Sequence, residues 1–323
     1  DYDRDGDLDL FLLTNKVEDP QGFPSKERAP VAFDGTNWRM LEGMDRYYAL
    51  WKYDAKNSGV ETAGRPDLLF RNDGAGAGGV PVFRDVTNAA GISGRGDGLS
   101  ATWWDYNKDG WPDLFIGNDF LSEDRLWHNN GDGTFKNVLA QAAPHTCWFS
   151  MGADAGDLNH DLLPDFFLAD MSATTHYKSK TTMGAMGGTN LKRAVESSPP
   201  QYMRNTCLLG TGTGRFLEAA YMLGIASTDW TWAVKFGDYD HGAKQDVYLT
   251  NGVIRAMNHS DFVVDEASKA GSHQWDFYKD QTTRPEQHRA YRNEGDLHFH
   301  DSSEEWGLNR TAVTYGCAWG DLD

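Results

Sequence analysis

A nine-residue acidic segment recurs along this chain, and its recurrence restricts the fold more than any other feature. Asp1-Tyr2-Asp3-Arg4-Asp5-Gly6-Asp7-Leu8-Asp9 returns as Asp105-Tyr106-Asn107-Lys108-Asp109-Gly110-Trp111-Pro112-Asp113 and as Asp157-Leu158-Asn159-His160-Asp161-Leu162-Leu163-Pro164-Asp165. A weaker copy is Asp238-Tyr239-Asp240-His241-Gly242-Ala243-Lys244-Gln245-Asp246, and a fifth begins at Asp321. Repetition at such intervals marks an architecture of stacked equivalent units.

Three further blocks recur in step with the acidic one. Apolar runs follow it at 10–15, 114–118, 166–170 and 247–251. Next come Leu69 to Gly74, Leu126 to Gly131, Tyr202-Met203-Arg204-Asn205 and Tyr291 to Gly295, and then blocks opening on Phe83, Phe135, Phe216 and Phe299. The chain re-enters the next acidic loop through 101–104, 151–156, 232–237 and 316–320. Each unit thus holds four strand candidates: one before the acidic loop, one after it, and two flanking an Asn/Gly turn. The expected fold is all-β, a β-propeller of four-stranded antiparallel blades with about four blades present. The run after each loop is apolar at nearly every position, which predicts a strand covered on both faces.

The loops begin at 1, 105, 157, 238 and 321, and the interval from 105 to 157 is close to a bare blade. The surplus elsewhere falls between the second and third strands, as insertions at about 16–66, 171–201 and 252–290. Up-and-down connectivity puts all three on one face, opposite the acidic hairpins. Residues 1–323 read as one incomplete propeller domain.

The acidic spacing predicts calcium. Calcium takes six to eight hard oxygens at flexible geometry. Carboxylates at positions one, three, five and nine, with a backbone carbonyl at seven, supply them. A Gly at six permits the sharp turn. The first loop offers Asp1, Asp3, Asp5 and Asp9 with the carbonyl of Asp7; the second, Asp105, Asn107, Asp109 and Asp113 with that of Trp111; the third, Asp157, Asn159, Asp161 and Asp165 with that of Leu163. The third loop has Leu162 where Gly is expected, which strains its turn. The fourth keeps Asp238, Asp240 and Asp246 but has Gly242 at position five, so the sequence does not decide whether it holds an ion. An EF-hand opens similarly but needs Glu at position twelve and flanking helices. Leu12, Ile116, Leu168 and Leu249 stand there instead, in strand-like runs. Without a cation these clustered carboxylates repel one another.

Composition excludes several classes. A formal charge of −18 repels nucleic acid and anionic lipid. With 39% hydrophobic residues and 12 Trp the chain can bury a substantial core. Three cysteines, Cys147, Cys207 and Cys317, form neither a disulfide framework nor a zinc spacing and read as small core residues; one pair is open in an oxidising compartment. No run of 18 apolar residues spans a membrane. The sequence opens on Asp1 and stops inside a motif, and reads as a piece of a longer chain. Arg95-Gly96-Asp97 is too short to count as an adhesion signal. Asn258-His259-Ser260 and Asn309-Arg310-Thr311 are glycosylation sequons. His298 and His300 alternate on one strand face without a third ligand.

The loops, the Arg-Asn-x-Gly and Phe-x-Asp-Val blocks and the Trp-Gly-Asp lead-in resemble the FG-GAP/VCBS repeats of integrin-α-like propellers. The stretches 98–104 and 171–177 are most similar to the cartilage-acidic-protein-like group, which carries an ASPIC/UnbV domain. The resemblance implies calcium at the loop ends, seven blades in the intact ring, an extracellular, cell-surface or periplasmic setting, and a partner on the face opposite the calcium hairpins. It carries over no catalytic residues.

The insertions are rich in aromatics and Met: Trp38, Tyr47, Tyr48, Trp51 and Tyr53; His176, Tyr177, Met183 and Met186; Trp275, Phe277 and Tyr278. They form either a recognition surface for protein or glycan, or a cap packed on itself. The expected function is a calcium-binding module for adhesion or assembly, not an enzyme. The alternative is a calcium-dependent, lyase-like propeller acting on polysaccharides. That would need a Lys, Tyr or His base in a basic cleft, against which the charge argues.

Overall fold

In the computed structural model, residues 1–16, 30–52, 58–120, 122–182, 188–256, 259 and 279–320 are described. Tyr53, Met183, Met186, Trp275, Phe277, Tyr278, Asn258 and Ser260 of the first sequon, and the loop from Asp321 lie outside them.

Three antiparallel meanders account for the loops at 105, 157 and 238. The first pairs Gly98–Trp104, Asp113–Asn118, Arg125–Asn129 and Phe135–Asn137 in chain order. The next pairs Gly152–Gly156, Asp165–Ala169, Thr206–Gly210 and Phe216–Glu218. The last pairs Asp229–Gly237, Asp246–Asn251, Arg289–Gly295 and His298–Asp301, with Met171–Ser172 added beside its first strand. The opening repeat contributes Leu10–Leu12, Leu68–Ala75 and Pro81–Asp85. These are the first, second, third and fourth sheets below, the opening repeat being the first. In the second to fourth sheets the acidic loop joins an entering strand to a leaving strand, as the sequence predicts.

The turn after the third strand has a local cause. Asn72, Asn129 and Asn293 each accept, through Oδ1, the N–H of the Gly two residues on, at 3.0 Å. Gly74, Gly131 and Gly295 there have φ of +84°, +74° and +89°, which an L side chain adopts only under strain.

Packing between successive sheets forms the core. Leu114 and Ile116 face the first sheet, in a cluster with Leu69, Ile92 and Trp127. Phe115 faces the other way, clustering with Phe166, Leu168 and Leu208 of the third sheet. Phe167 in turn packs with Val234, Val247 and Leu249 of the fourth. Leaving strands therefore bury both faces: Asp113–Asn118 and Asp165–Ala169 are buried at every position. Burying one such Leu or Phe contributes about 1.5–3 kcal/mol. Trp104 stacks on Phe166 with centroids 4.3 Å apart, tying the second sheet to the third. The first sheet differs because, among the described residues, only one side of it is covered. Leu10 and Leu12 are 49% and 46% exposed.

Three expectations need amendment, and the first insertion has strands of its own. The chain is mostly, not wholly, β: short helices occupy Leu139–Ala142, His176–Thr181 and Gly188–Glu196. Two hairpins form within the first insertion, Val31–Phe33 with Trp38–Met40 and Tyr48–Lys52 with Ser58–Thr62. Arg204-Asn205 is not the third-strand block of its unit. Asn205 precedes the strand Thr206–Gly210, and Gly210 stands where the other sheets have Asn. Residues 316–320 carry no strand pairing, although Tyr315 and Trp319 lie against Trp232 and Tyr239 with centroids 4.6 and 4.8 Å apart. Cys147 and Cys207 are free, buried core residues, and Cys317 is free and half-buried. No helix among the described residues is long and apolar enough to cross a membrane.

Candidate metal centre

One backbone design serves all four acidic loops. The residue at position four has a left-handed conformation in each: Arg4, Lys108, His160 and His241 have φ of 59–61°. Position six does too, at Gly6, Gly110, Leu162 and Ala243. Leu162, at φ 66°, takes the glycine conformation with a side chain that is 76% exposed, so the expected strain is present.

Position nine is a clamp between strands. Asp9, Asp113, Asp165 and Asp246 each accept through Oδ2 the N–H of position two, at Tyr2, Tyr106, Leu158 and Tyr239. Through Oδ1 each accepts an N–H of the third strand, from Asn72, Asn129, Gly210 and Asn293, at 2.8–3.0 Å. Burial pushes the Asp113 and Asp165 carboxyls up to about 6 and raises Asp246, against the pull of these N–H groups.

Positions one and five shape the turn. Asp105 accepts the N–H groups of Asp109 and Gly110, and Asp157 those of Asp161 and Leu162. Asp1 accepts from Gly6. Asp5, Asp109 and Asp161 accept the N–H of position seven, at Asp7, Trp111 and Leu163, which orients the peptides assigned a carbonyl ligand.

Position three separates the loops. Asn107 and Asn159 donate Nδ2 to Asp109 and Asp161 at 2.9 and 3.0 Å. Turning that amide by half a rotation exchanges nitrogen for oxygen, which a cation there requires. The first loop has Asp3 instead. Its Oδ1 is buried with no hydrogen-bond partner, and burial followed by repulsion from Asp9 and Asp5 raises its pKa. An orphaned carboxylate oxygen among other carboxylates costs free energy unless a cation meets it. The donor set is all oxygen, which suits a hard divalent ion. Carboxylate oxygens of Asp1, Asp3 and Asp5 lie within 4.8 Å of one another, as do those of Asp238, Asp240 and Asp246.

Neighbouring loops are joined in sequence. Arg4 lies over the Trp111 ring at 5.2 Å, Lys108 Nζ donates to the Leu162 carbonyl at 2.9 Å, and Gln245 Oε1 accepts the Asp157 N–H at 2.7 Å. All four loops therefore share one end of the sheets.

With that geometry established, the central repeat can be compared with known families. Residues 105–168 match the FG-GAP-like repeat. This FG-GAP-like segment runs from the second acidic loop to the leaving strand of the third sheet, so it contains two acidic loops and both Phe115 and Phe166 of one intersheet core. Such repeats are typical of calcium-binding propeller modules. No curated protein matches the chain.

Sequence reasoning missed a second set of clamps at the opposite strand ends. Thr14, Asn118 and Asp170 each donate a backbone N–H, at 2.8 Å, to Asp67, Asp124 and Asn205, the residues just before the third strands. The signal was an Asp or Asn five residues ahead of Asn72, Asn129 and Gly210. His128 was also missed; its Nδ1 lies 3.2 Å from Asp113 Oδ1.

Proposed function

We propose that the chain is a calcium-stabilised segment of a β-propeller that serves as a binding module outside the cytoplasm, with its partner on the face opposite the acidic loops. The observation that carries the calcium reading is Asp3: a buried, unpartnered carboxylate oxygen beside Asp1 and Asp5. Bound calcium would be held by positions one, three, five and nine and the carbonyl at seven in the first three loops. It would supply positive charge to the clustered carboxylates and fix the hairpins on which the sheets align. The protein's own residues position the strands through the position-nine clamps.

The partner face rests on the insertions. Each leaves its sheet at the strand end remote from the acidic loop. The second and third meet where Lys178 pairs with Asp229 and approaches Glu286 at 3.8 Å. A shallow pocket of about 390 Å³ opens there, lined in part by Thr175, Tyr177, Lys178, Arg284 and Gln287. Tyr177 is 72% exposed and offers a flat face for a protein or glycan. A binding role is favoured over polysaccharide lysis because Lys178, the pocket's amine, is engaged by Asp229 and lies beside Glu286 instead of standing open in a basic cleft. Kinship with the ASPIC/UnbV group, a seven-bladed ring and an extracellular or periplasmic setting belong to the same proposal. The exposed Leu8, Leu10 and Leu12 are the surface a further blade would cover.

The test is thermal unfolding in calcium and in chelator. Calcium is expected to raise the melting temperature by several degrees, as linkage requires for an ion bound only by the folded state. Identical melting in both conditions rejects the reading.

A further inference from the structure

The fourth loop differs from the others at two positions that are far apart in sequence and adjacent in space. Gly242 occupies position five, where the other loops carry Asp5, Asp109 and Asp161. Asp238, Asp240 and Asp246 nevertheless converge within 4.8 Å, so convergence alone would make this loop a cation site. Arg292 meets the position-three carboxylate of this triad. Its Nε lies 2.9 Å from Asp240 Oδ2, and its Nη2 donates to Glu305 at 2.8 Å. The guanidinium carbon lies 5.1 Å over the Trp306 ring.

The equivalent position in the other sheets, just before Asn72, Asn129 and Gly210, holds Arg71, His128 and Leu209. Arg71 donates to Asp73 through Nε and Nη2 at 2.8 and 2.7 Å, in the turn after its own strand. Leu209 is apolar and buried. Among the described residues, a third-strand guanidinium is ion-paired with a carboxylate of its own acidic loop only in the fourth sheet. Gly242 fits that arrangement. A Cβ at this position would lie 2.6 Å from Asp240 Oδ1, so an aspartate in place of Gly242 would require the Asp240 carboxylate to move from where Arg292 meets it.

Every carboxylate oxygen of the loop meets either an N–H donor or the Arg292 guanidinium. Asp238 accepts from the Gly242 and Ala243 N–H groups, Asp246 from Tyr239 and Asn293, and Asp240 accepts from Gly242 through Oδ1 and is ion-paired with Arg292 through Oδ2. In the second and third loops position three is itself a neutral amide, which donates to the aspartate at five and can turn its oxygen inward. In the fourth, position three is a carboxylate paired with a guanidinium, which stays charged and offers no ligand atom.

We propose that the fourth loop binds no cation and is closed by Arg292, whose guanidinium takes the place of the divalent ion. This rests on the reading of the other three loops as calcium sites. The chain then binds fewer ions than it has acidic loops, and the fourth hairpin keeps its shape when calcium is withdrawn.

The experiment counts bound calcium per chain by equilibrium dialysis and metal analysis, in wild type, Asp161→Ala and Asp240→Ala. Asp161→Ala is expected to lose one ion, and Asp240→Ala to keep the wild-type number. Loss of an ion in Asp240→Ala overturns the proposal. A second measurement stands apart from the calcium reading and decides the matter if no protein binds ions, or if Asp240→Ala does not fold. In chelator, Arg292→Gln is expected to lower the melting temperature by about 2 °C or more. An unchanged melting temperature there overturns the proposal while leaving the calcium reading of the other loops intact.

Discussion

Asn293 Nδ2 donates to the backbone carbonyl of Leu158 at 2.8 Å, joining the third strand of the fourth sheet to the acidic loop of the third, 135 residues earlier. Asn129 makes the same bond to the Tyr2 carbonyl at 2.8 Å, between the second sheet and the first loop. At these two junctions the side chain that forms the turn also ties the preceding loop to the next sheet. At the remaining junction Gly210 has no such arm, and the Trp104–Phe166 stack and the Lys108–Leu162 bond serve there.

Truncating Asn293 to Ala leaves the buried Leu158 carbonyl and the N–H of Gly295 without this partner. A loss of about 1–3 kcal/mol is expected, read by denaturant unfolding. Introducing Asn at Gly210 will not supply the absent tie. A Cβ there would meet the Pro164 carbonyl at 2.5 Å, so this substitution too is expected to destabilise.

Leu162 holds a left-handed conformation with its side chain in solvent. Leu162→Gly removes that strain and forfeits little burial. A gain of about 1 kcal/mol is expected, after allowing for glycine's greater freedom in the unfolded chain. Unfolding in saturating calcium checks it, and a loss of stability would show that the side chain matters in a way the geometry does not reveal.

Asp3→Asn separates repulsion from ligation. Asn already fills position three in the second and third loops, where it donates to the aspartate at five. In chelator the variant is expected to melt higher than wild type, because one crowded carboxylate is gone. In calcium its gain from the ion is expected to shrink. Parallel shifts in both conditions would show that Asp3 does not meet the ion.

Asp124 gives a pH signature away from the acidic loops. Burial pushes its carboxyl up to about 7 although it accepts the Asn118 N–H and the Ser150 hydroxyl. Its folded pKa exceeds its unfolded one, so its contribution is fully present below about pH 4 and is lost as pH rises toward 7. The shift corresponds to roughly 4 kcal/mol. Asp124→Asn, which retains an acceptor for Asn118, is expected to flatten the fall in melting temperature between pH 5 and 7.5. Profiles that stay parallel would contradict the assignment.

Much of this architecture was legible because its signals are short-range. Leu114 to Gly117 and Phe166 to Ala169 announced strands buried on both faces, and every complete sheet has one. The misplacement of the third-strand block at Arg204-Asn205 shows the limit. A dipeptide matched the motif by chance, while Gly210, which does the strand's work through its N–H to Asp165, carries no side chain to recognise. The clamps at Asp67, Asp124 and Asn205 were passed over because one acidic or amide residue before a strand looks like any polar turn.

The spacing of aspartates and glycines by itself determined where the hairpins lie and which oxygens they gather, since a nine-residue turn is closed by its own backbone. Only the tertiary structure decided what meets those charges. Asp3 keeps a bare oxygen, Asp113 is shared with a third strand, and Asp240 faces a guanidinium 52 positions away. Packing brings such groups together across tens of residues, and no local pattern records the distance between them.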